Sequence, residues 1–228
     1  MSKQNDTAAA SAVQQEYLAE AYRLVHYQPN NPYITTSSLA ERVGVSAPAV
    51  AAVVERLKRA GYVEHEPYKG MKLTSKGEHE ALMNIRRHRL AEIFLVKVMG
   101  FGWHEVHDEA DAMGAVISEA IASRMEQMAG YPKRCPHGEP IPTAEGVMPQ
   151  VIDEPLSEIP APAQLTVSRV NTHDPEVLKY LFTLDLVPGQ AVNLVNRAPF
   201  NGPLRLRIGS HEQVIGHELA SVLRVSKA

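Results

Sequence analysis

Residues 35–73 read T-T-S-S-L-A-E-R-V-G-V-S-A-P-A-V-A-A-V-V-E-R-L-K-R-A-G-Y-V-E-H-E-P-Y-K-G-M-K-L, and this stretch leaves the chain few folds to choose from. Ser37 or Ser38 can cap a short helix that runs to Val43. Gly44 suits the residue just past its end, where a positive φ is needed. Ser46 can cap the next helix, and Pro48 is tolerated in a first turn that has no hydrogen bond to lose. Val50, Val53, Val54 and Leu57 form an inner stripe at helical spacing, and Gly61 stops the helix. Two helices across a glycine-containing turn predict a helix-turn-helix. The continuation alternates about P-Y-K-G, which predicts a β-hairpin with a polar tip, a wing. Upstream, Val13, Tyr17, Ala21, Leu24 and Val25 recur at helical spacing and predict a helix over 12–27.

Such a unit suits double-stranded DNA. A helix N-terminus directs small side chains and N–H groups into a groove while cations flank it. Ser46, Ala47, Pro48 and Ala49 allow close approach to base edges and thymine methyls. Lys58, Tyr68, Lys69 and Lys72 are placed to meet the phosphate backbone. Charge agrees in sign: residues 1–76 carry a formal +2 and the remainder −5.

The rest of the chain poses a ligand question. Among 228 residues there are ten histidines and one cysteine, Cys135, which excludes a disulfide framework and fits a reducing compartment. No apolar run approaches the roughly 20 residues of a membrane span, and the first residues lack a signal-peptide pattern, so a cytoplasmic location is expected. His88 with Glu92, and His107 with Asp111, are i,i+4 pairs on helix-like stretches. Two such helices packed together could offer imidazoles and carboxylates to Mn, Fe, Co or Zn. Cys135 and His137 read as structural residues of a proline-rich turn, and Trp103 as core packing at a helix start. Twelve of the sixteen prolines lie between Pro132 and Pro203. The expected order is a disordered tail (1–11), a winged helix-turn-helix (12–76), a helical region that carries the metal candidates (77–149), a proline-rich linker (150–163) and a small β domain (164–228).

In this order, the wing with L-T-S-K-G-E, then H-R-L-A-E, V-H-D-E-A and C-P-H-G-E-P-I-P, resembles the diphtheria-toxin-repressor family over about residues 12–228. The resemblance implies an iron- or manganese-dependent transcriptional regulator with a mainly α fold: a winged helix-turn-helix, a helical dimerisation domain and a C-terminal SH3-like (FeoA-type) β-barrel. It implies a homodimer on an inverted-repeat operator, with 114–129 in the interface and Val116, Ile117, Ile121 and Met125 as apolar positions. L-T-V-S-R-V, A-V-N-L-V-N-R, L-R-L-R-I and S-V-L-R-V alternate as barrel strands should, with D-P-E-V-L-K-Y-L-F as a helix.

The family's ancillary metal site maps onto His88, Glu92 and His107, with His173 or Asp174 of V-N-T-H-D-P-E offered by the β domain. Its primary site maps onto Glu16 and Asp111, but Gly114 and Ala115 stand where Glu and His are expected. Mn(II) is expected over Fe(II), because Glu16 replaces an alternative Met and no thiolate is expected near the sites. Two other readings follow from the same residues. One is a winged-helix regulator that has lost metal control. The other is a metal-dependent hydrolase using His88, Glu92 and His107.

Overall fold

The structure is a computed structural model and describes residues 10–26, 31–114 and 116–227. Most of the expected N-terminal tail, the end of the first predicted helix and Ala115 therefore lie outside the described residues. The chain divides into two compact units. One holds Met1–His88, Gly114–Ile117 and Pro142–Met148; the other holds Arg89–Met113, Ser118–Ile141 and Pro149–Ala228.

The first unit is built on α1 (Ala12–His26), α2 (Thr36–Val43) and α3 (Ala47–Arg59), followed by the hairpin β1 (Val63–Glu66) and β2 (Gly70–Leu73). Val50, Val53, Val54 and Leu57 are buried as the spacing predicts, against Leu18 of α1 and Leu39 of α2 in one apolar core. Two details differ from expectation. Thr35, rather than Ser37 or Ser38, caps α2: its hydroxyl accepts a hydrogen bond from the Ser38 amide at 3.0 Å. Ser46 holds the N-cap position of α3 but makes no capping hydrogen bond. Gly44 takes the left-handed conformation (φ 68°) that ends α2. Gly70, at φ 109°, lets the hairpin pass so close to the segment before α2 that a Cβ there would lie 2.3 Å from the Ile34 carbonyl oxygen.

The second unit takes up α4 (Ser75–Lys97) from Arg89 onward and adds α5 (Val106–Gly114, up to Met113) and α6 (Glu119–Met128). Beyond them is a six-stranded antiparallel sheet of β3 (Glu154–Pro155), β4 (Ala163–Val170), β5 (Ala191–Arg197), β6 (Leu204–Ile208), β7 (His211–Ile215) and β8 (Leu223–Lys227). The strand order is β3-β8-β4-β5-β6-β7, and no pairing among the described residues joins β3 to β7, so the sheet is open. β6 shows the physics of one covered face: Leu204, Leu206 and Ile208 are buried while Arg205 and Arg207 face water. Two helices, α7 (Pro175–Thr183) and α8 (His217–Val222), accompany the sheet.

The expected linker 150–163 is not wholly extended chain. β3 is itself an end strand, paired only with β8, a place where Pro155 withholds no hydrogen bond from a central ladder. Leu156 and Ile159 are buried in the sheet's core, and complete burial of Leu156 contributes about 2 kcal/mol. A short 3-10 turn (Leu156–Glu158) aims them inward.

Candidate metal centre and DNA-binding face

α4 carries His88 and Glu92 one turn apart, and both are buried. Ligand atoms of His88, Glu92 and His107 all lie within 4.8 Å of one another. A second trio, Glu92, Cys135 and His137, meets the same limit and is buried throughout. Glu92 belongs to both. Its Oε1 lies 3.5 Å from His107 Nδ1 and 3.3 Å from His137 Nδ1. Helix periodicity sets His88 beside Glu92 on α4, and His107 comes from α5; the second trio forms because the turn 135–138 folds back against the same carboxylate.

The tautomer of His137 is set by its far side. Nε2 donates to the Trp103 backbone carbonyl at 2.8 Å, so Nδ1, 3.3 Å from Glu92 Oε1, is the nitrogen that the ring could offer to an ion. The imidazole of His173 stacks on His107 with centroids 3.8 Å apart and planes 8° from parallel, and meets His137 edge-on. Burial pushes the Cys135 thiol well above its ordinary range, and the nearby Glu92 carboxylate pushes the same way. Carboxylate, thiol and imidazole donors converging in a buried pocket fit a divalent transition ion. When bound, the ion would supply the charge that lets a thiolate and a carboxylate sit together.

The remaining predicted ligands behave differently. Asp174 accepts hydrogen bonds from the amides of Glu176 and Val177 and so caps α7. Glu16 is exposed on α1, and Asp111 is exposed on α5 with Oδ2 3.6 Å from His107 Nε2. Neither enters a metal-capable group of three among the described residues. At Gly114 an added Cβ would meet only ordinary contacts, the nearest at 3.7 Å to His88 Cα, so space does not forbid a side chain there.

The DNA-binding candidates belong to the first unit. Ser46, Ala47, Pro48, Ala49 and Lys58 are all exposed on α3. Tyr68 sits fully exposed at the hairpin tip with φ 67°, a conformation uncommon for a bulky side chain. Lys69 and Lys72 are already paired: Lys69 with Glu66 at 2.9 Å, and Lys72 with Glu64 at 3.0 Å. Glu66 also accepts a short hydrogen bond from the Tyr33 hydroxyl. That bond, followed by Lys69, holds the Glu66 carboxyl below its usual range. A phosphate at the wing would therefore meet cations partly neutralised by the wing's own glutamates. A Glu66→Gln protein is expected to bind DNA several-fold more tightly with a steeper salt dependence, read by fluorescence anisotropy over a salt series. Unchanged affinity and slope would show that the wing does not reach the backbone.

Comparison with known proteins bears on both sites. The N-terminal DNA-binding domain model of the iron-dependent repressors matches residues 10–71. The metal-binding and dimerisation domain model of the same family matches 74–143, and the FeoA domain model matches 154–227. The iron-dependent repressor IdeR of Mycobacterium tuberculosis is 34% identical over 202 residues, covering 83% of this chain and 87% of that one. The chain belongs to the diphtheria-toxin-repressor family. A solved manganese-dependent transcriptional repressor in complex with manganese superposes on this family member with a TM-score of 0.86, 31% identity and coverage of 94% and 100%. The manganese regulator SloR superposes with a TM-score of 0.76 at 26% identity, covering 97% of this chain and 100% of that one.

As a diphtheria-toxin-repressor-family protein, the chain is a metal-dependent transcriptional regulator whose ion is Mn(II) or Fe(II). Of the two grounds for preferring manganese, the expected absence of a thiol does not hold, since Cys135 stands within the cluster, while Glu16 in place of a Met is untouched by that. Cys135 and His137 are the candidate donors that sequence reasoning set aside. The available signal was a Cys-x-His pair in a tight turn bracketed by prolines, C-P-H-G-E-P.

Proposed function

We propose that the protein senses Mn(II) or Fe(II) at a centre made of His88, Glu92, His107, Cys135 and His137, with His173 closing it from the sheet domain. A homodimer then holds two winged helices on an inverted-repeat operator and represses metal-uptake genes. The observation that carries this reading is the single buried oxygen, Glu92 Oε1, facing imidazoles from two other segments. The protein acts by binding and not by catalysis, in the cytoplasm, where a reduced Cys135 and DNA are both at hand. No described helix is long and apolar enough to cross a membrane.

Dimer contact is supported by an apolar depression of about 430 Å³ lined by Phe94, Met113, Ile121, Met125 and Met128, with Ile121 and Met128 exposed. Val116 is exposed as well, while Ile117 and Met125 are buried within the protomer. Metal control follows from linkage: an ion changes operator affinity only as far as it prefers the DNA-competent conformation. Converting a 1:99 population to 99:1 needs about 10⁴-fold preference. A winged-helix regulator that has lost metal control draws support from Gly114, and the buried Glu92 cluster weighs against it.

The test is operator binding with and without chelator, titrated in parallel with Mn(II), Fe(II) and Zn(II). Binding that appears with Mn(II) or Fe(II) and disappears with chelator is expected. Equal affinity in both conditions would establish the regulator without metal control.

A further inference from the structure

Cys135 and His137 sit on a loop, so something other than helix periodicity must hold their donor atoms in place. The turn is closed by backbone bonds: the Gly138 amide donates to the Cys135 carbonyl at 3.0 Å, and the Cys135 amide to the Glu139 carbonyl at 2.9 Å. The Val170 amide, at the end of β4, donates to the His137 carbonyl at 2.9 Å. Gly138 (φ 85°) lies so close to β4 that a Cβ there would come within 2.3 Å of the Ser168 carbonyl oxygen.

Glu139 adds the charged part. Its Oε2 accepts from Arg89 Nη2 at 3.1 Å, while Arg169 Nη1 donates to Oε1 at 3.0 Å and to Oε2 at 3.2 Å. Arg89 also donates to the Pro140 carbonyl at 2.5 Å. All three side chains are nearly buried, with 10 to 14% of their surface exposed. Arg89 lies on α4 three residues before Glu92, and Arg169 lies on β4 four residues before His173. One carboxylate thus ties together the three segments that carry Glu92, the Cys135–His137 pair and His173.

We propose that Glu139 is a positioning residue of the metal centre, which holds the Cys135–His137 turn between α4 and β4 and fixes the thiol and imidazole toward Glu92. This rests on the metal-centre reading above. Two guanidinium groups clamp the carboxylate from opposite elements, so the turn cannot shift without breaking charge-assisted hydrogen bonds inside the protein. Glutamine in its place keeps the shape but removes the charge both arginines answer to.

Co(II) is a suitable probe, because thiolate ligation gives a charge-transfer band that a structural effect alone does not produce. The full-length protein should show that band; its absence would overturn Cys135 as a ligand and with it the underlying reading. Given the band, Glu139→Gln is expected to weaken Co(II) binding about tenfold to a hundredfold and to lower the band at saturation, while the metal-free protein still unfolds cooperatively. Arg169→Lys, which keeps the charge but loses the fork, should move both readouts the same way by less, and it decides the matter if Glu139→Gln fails to fold. Leu206→Ala serves as the control: it opens the core of the same sheet from β6, a strand that carries none of these charged residues, and is expected to leave the saturated band intact. Wild-type affinity and band in Glu139→Gln would overturn the proposal. So would an equal loss of band in Leu206→Ala, which would assign the effect to general stability.

Discussion

A Glu92→Ala protein is expected to lose metal-dependent operator binding almost completely. Glu92 is the one side chain common to both trios of candidate ligands, and its carboxylate is the only buried anion shared by His107 and His137 among the described contacts. Without it, the ion would be left to the imidazoles and to a Cys135 thiol whose deprotonation burial opposes. Replacing a supporting group around a metal typically costs 10- to 100-fold in affinity, so loss of a shared ligand should cost at least about 100-fold. Chelator-competition titration reads the affinity, and anisotropy on a labelled operator reads the consequence. Weak, salt-sensitive DNA binding should persist, because the winged helix belongs to the first unit and keeps its own core. Glu92→Gln should fall between the two proteins. A Glu92→Ala protein that still answers to Mn(II) or Fe(II) at wild-type concentrations would remove the centre from the account.

The second large effect is on stability. Asp153 is fully buried as a side chain and accepts hydrogen bonds from Arg169 Nε at 2.8 Å and Nη2 at 3.0 Å, Ser168 Oγ at 2.9 Å and Arg224 Nε at 2.5 Å. Burial alone would raise its pKa, but the hydrogen bonds from Arg169 and Arg224 outweigh burial and hold the carboxyl below the usual range. Breaking such a buried network takes the carboxylate from Arg224 and leaves Arg169 with Glu139 alone, so Asp153→Asn should cost about 3 kcal/mol near neutral pH, seen as a lower urea midpoint. Because the folded carboxyl titrates below its unfolded value of about 3.9, its contribution is complete above that pH. The contribution is lost as pH falls from there toward the folded-state pKa. The gap between the two proteins should therefore be widest at neutral pH and shrink in acid. A gap that stays constant down to pH 3 would mean that the charge on Asp153 contributes nothing.

Local patterns were legible in the sequence wherever one element decides the outcome. The stripe Val50, Val53, Val54 and Leu57, the left-handed Gly44 and the hairpin about P-Y-K-G all follow from spacing within a few residues. So does the pairing of His88 with Glu92, which a single helix guarantees. What escaped depends on closure between distant segments. Cys135 and His137 reach Glu92 because the loop docks on β4 more than 30 residues further along the chain, and turn residues look alike whether or not they carry ligands. Asp174 and His173 are neighbours in sequence, and only the start of α7 separates them: a helix N-cap claims the carboxylate and leaves the imidazole to stack on His107. β7 escaped for the opposite reason. It is an edge strand in which only Ile215 is fully buried, so its residues show no alternation to read.

The central claim is that the ion sits at Glu92. Crystals of the protein grown with Mn(II), and measured for anomalous scattering at wavelengths above and below the manganese edge, test this most directly. The predicted result is a peak at ligand distance from Glu92, His107 and His137 that is absent from crystals of Glu92→Ala. Peaks confined to Glu16 and Asp111, with nothing beside Glu92, would contradict it.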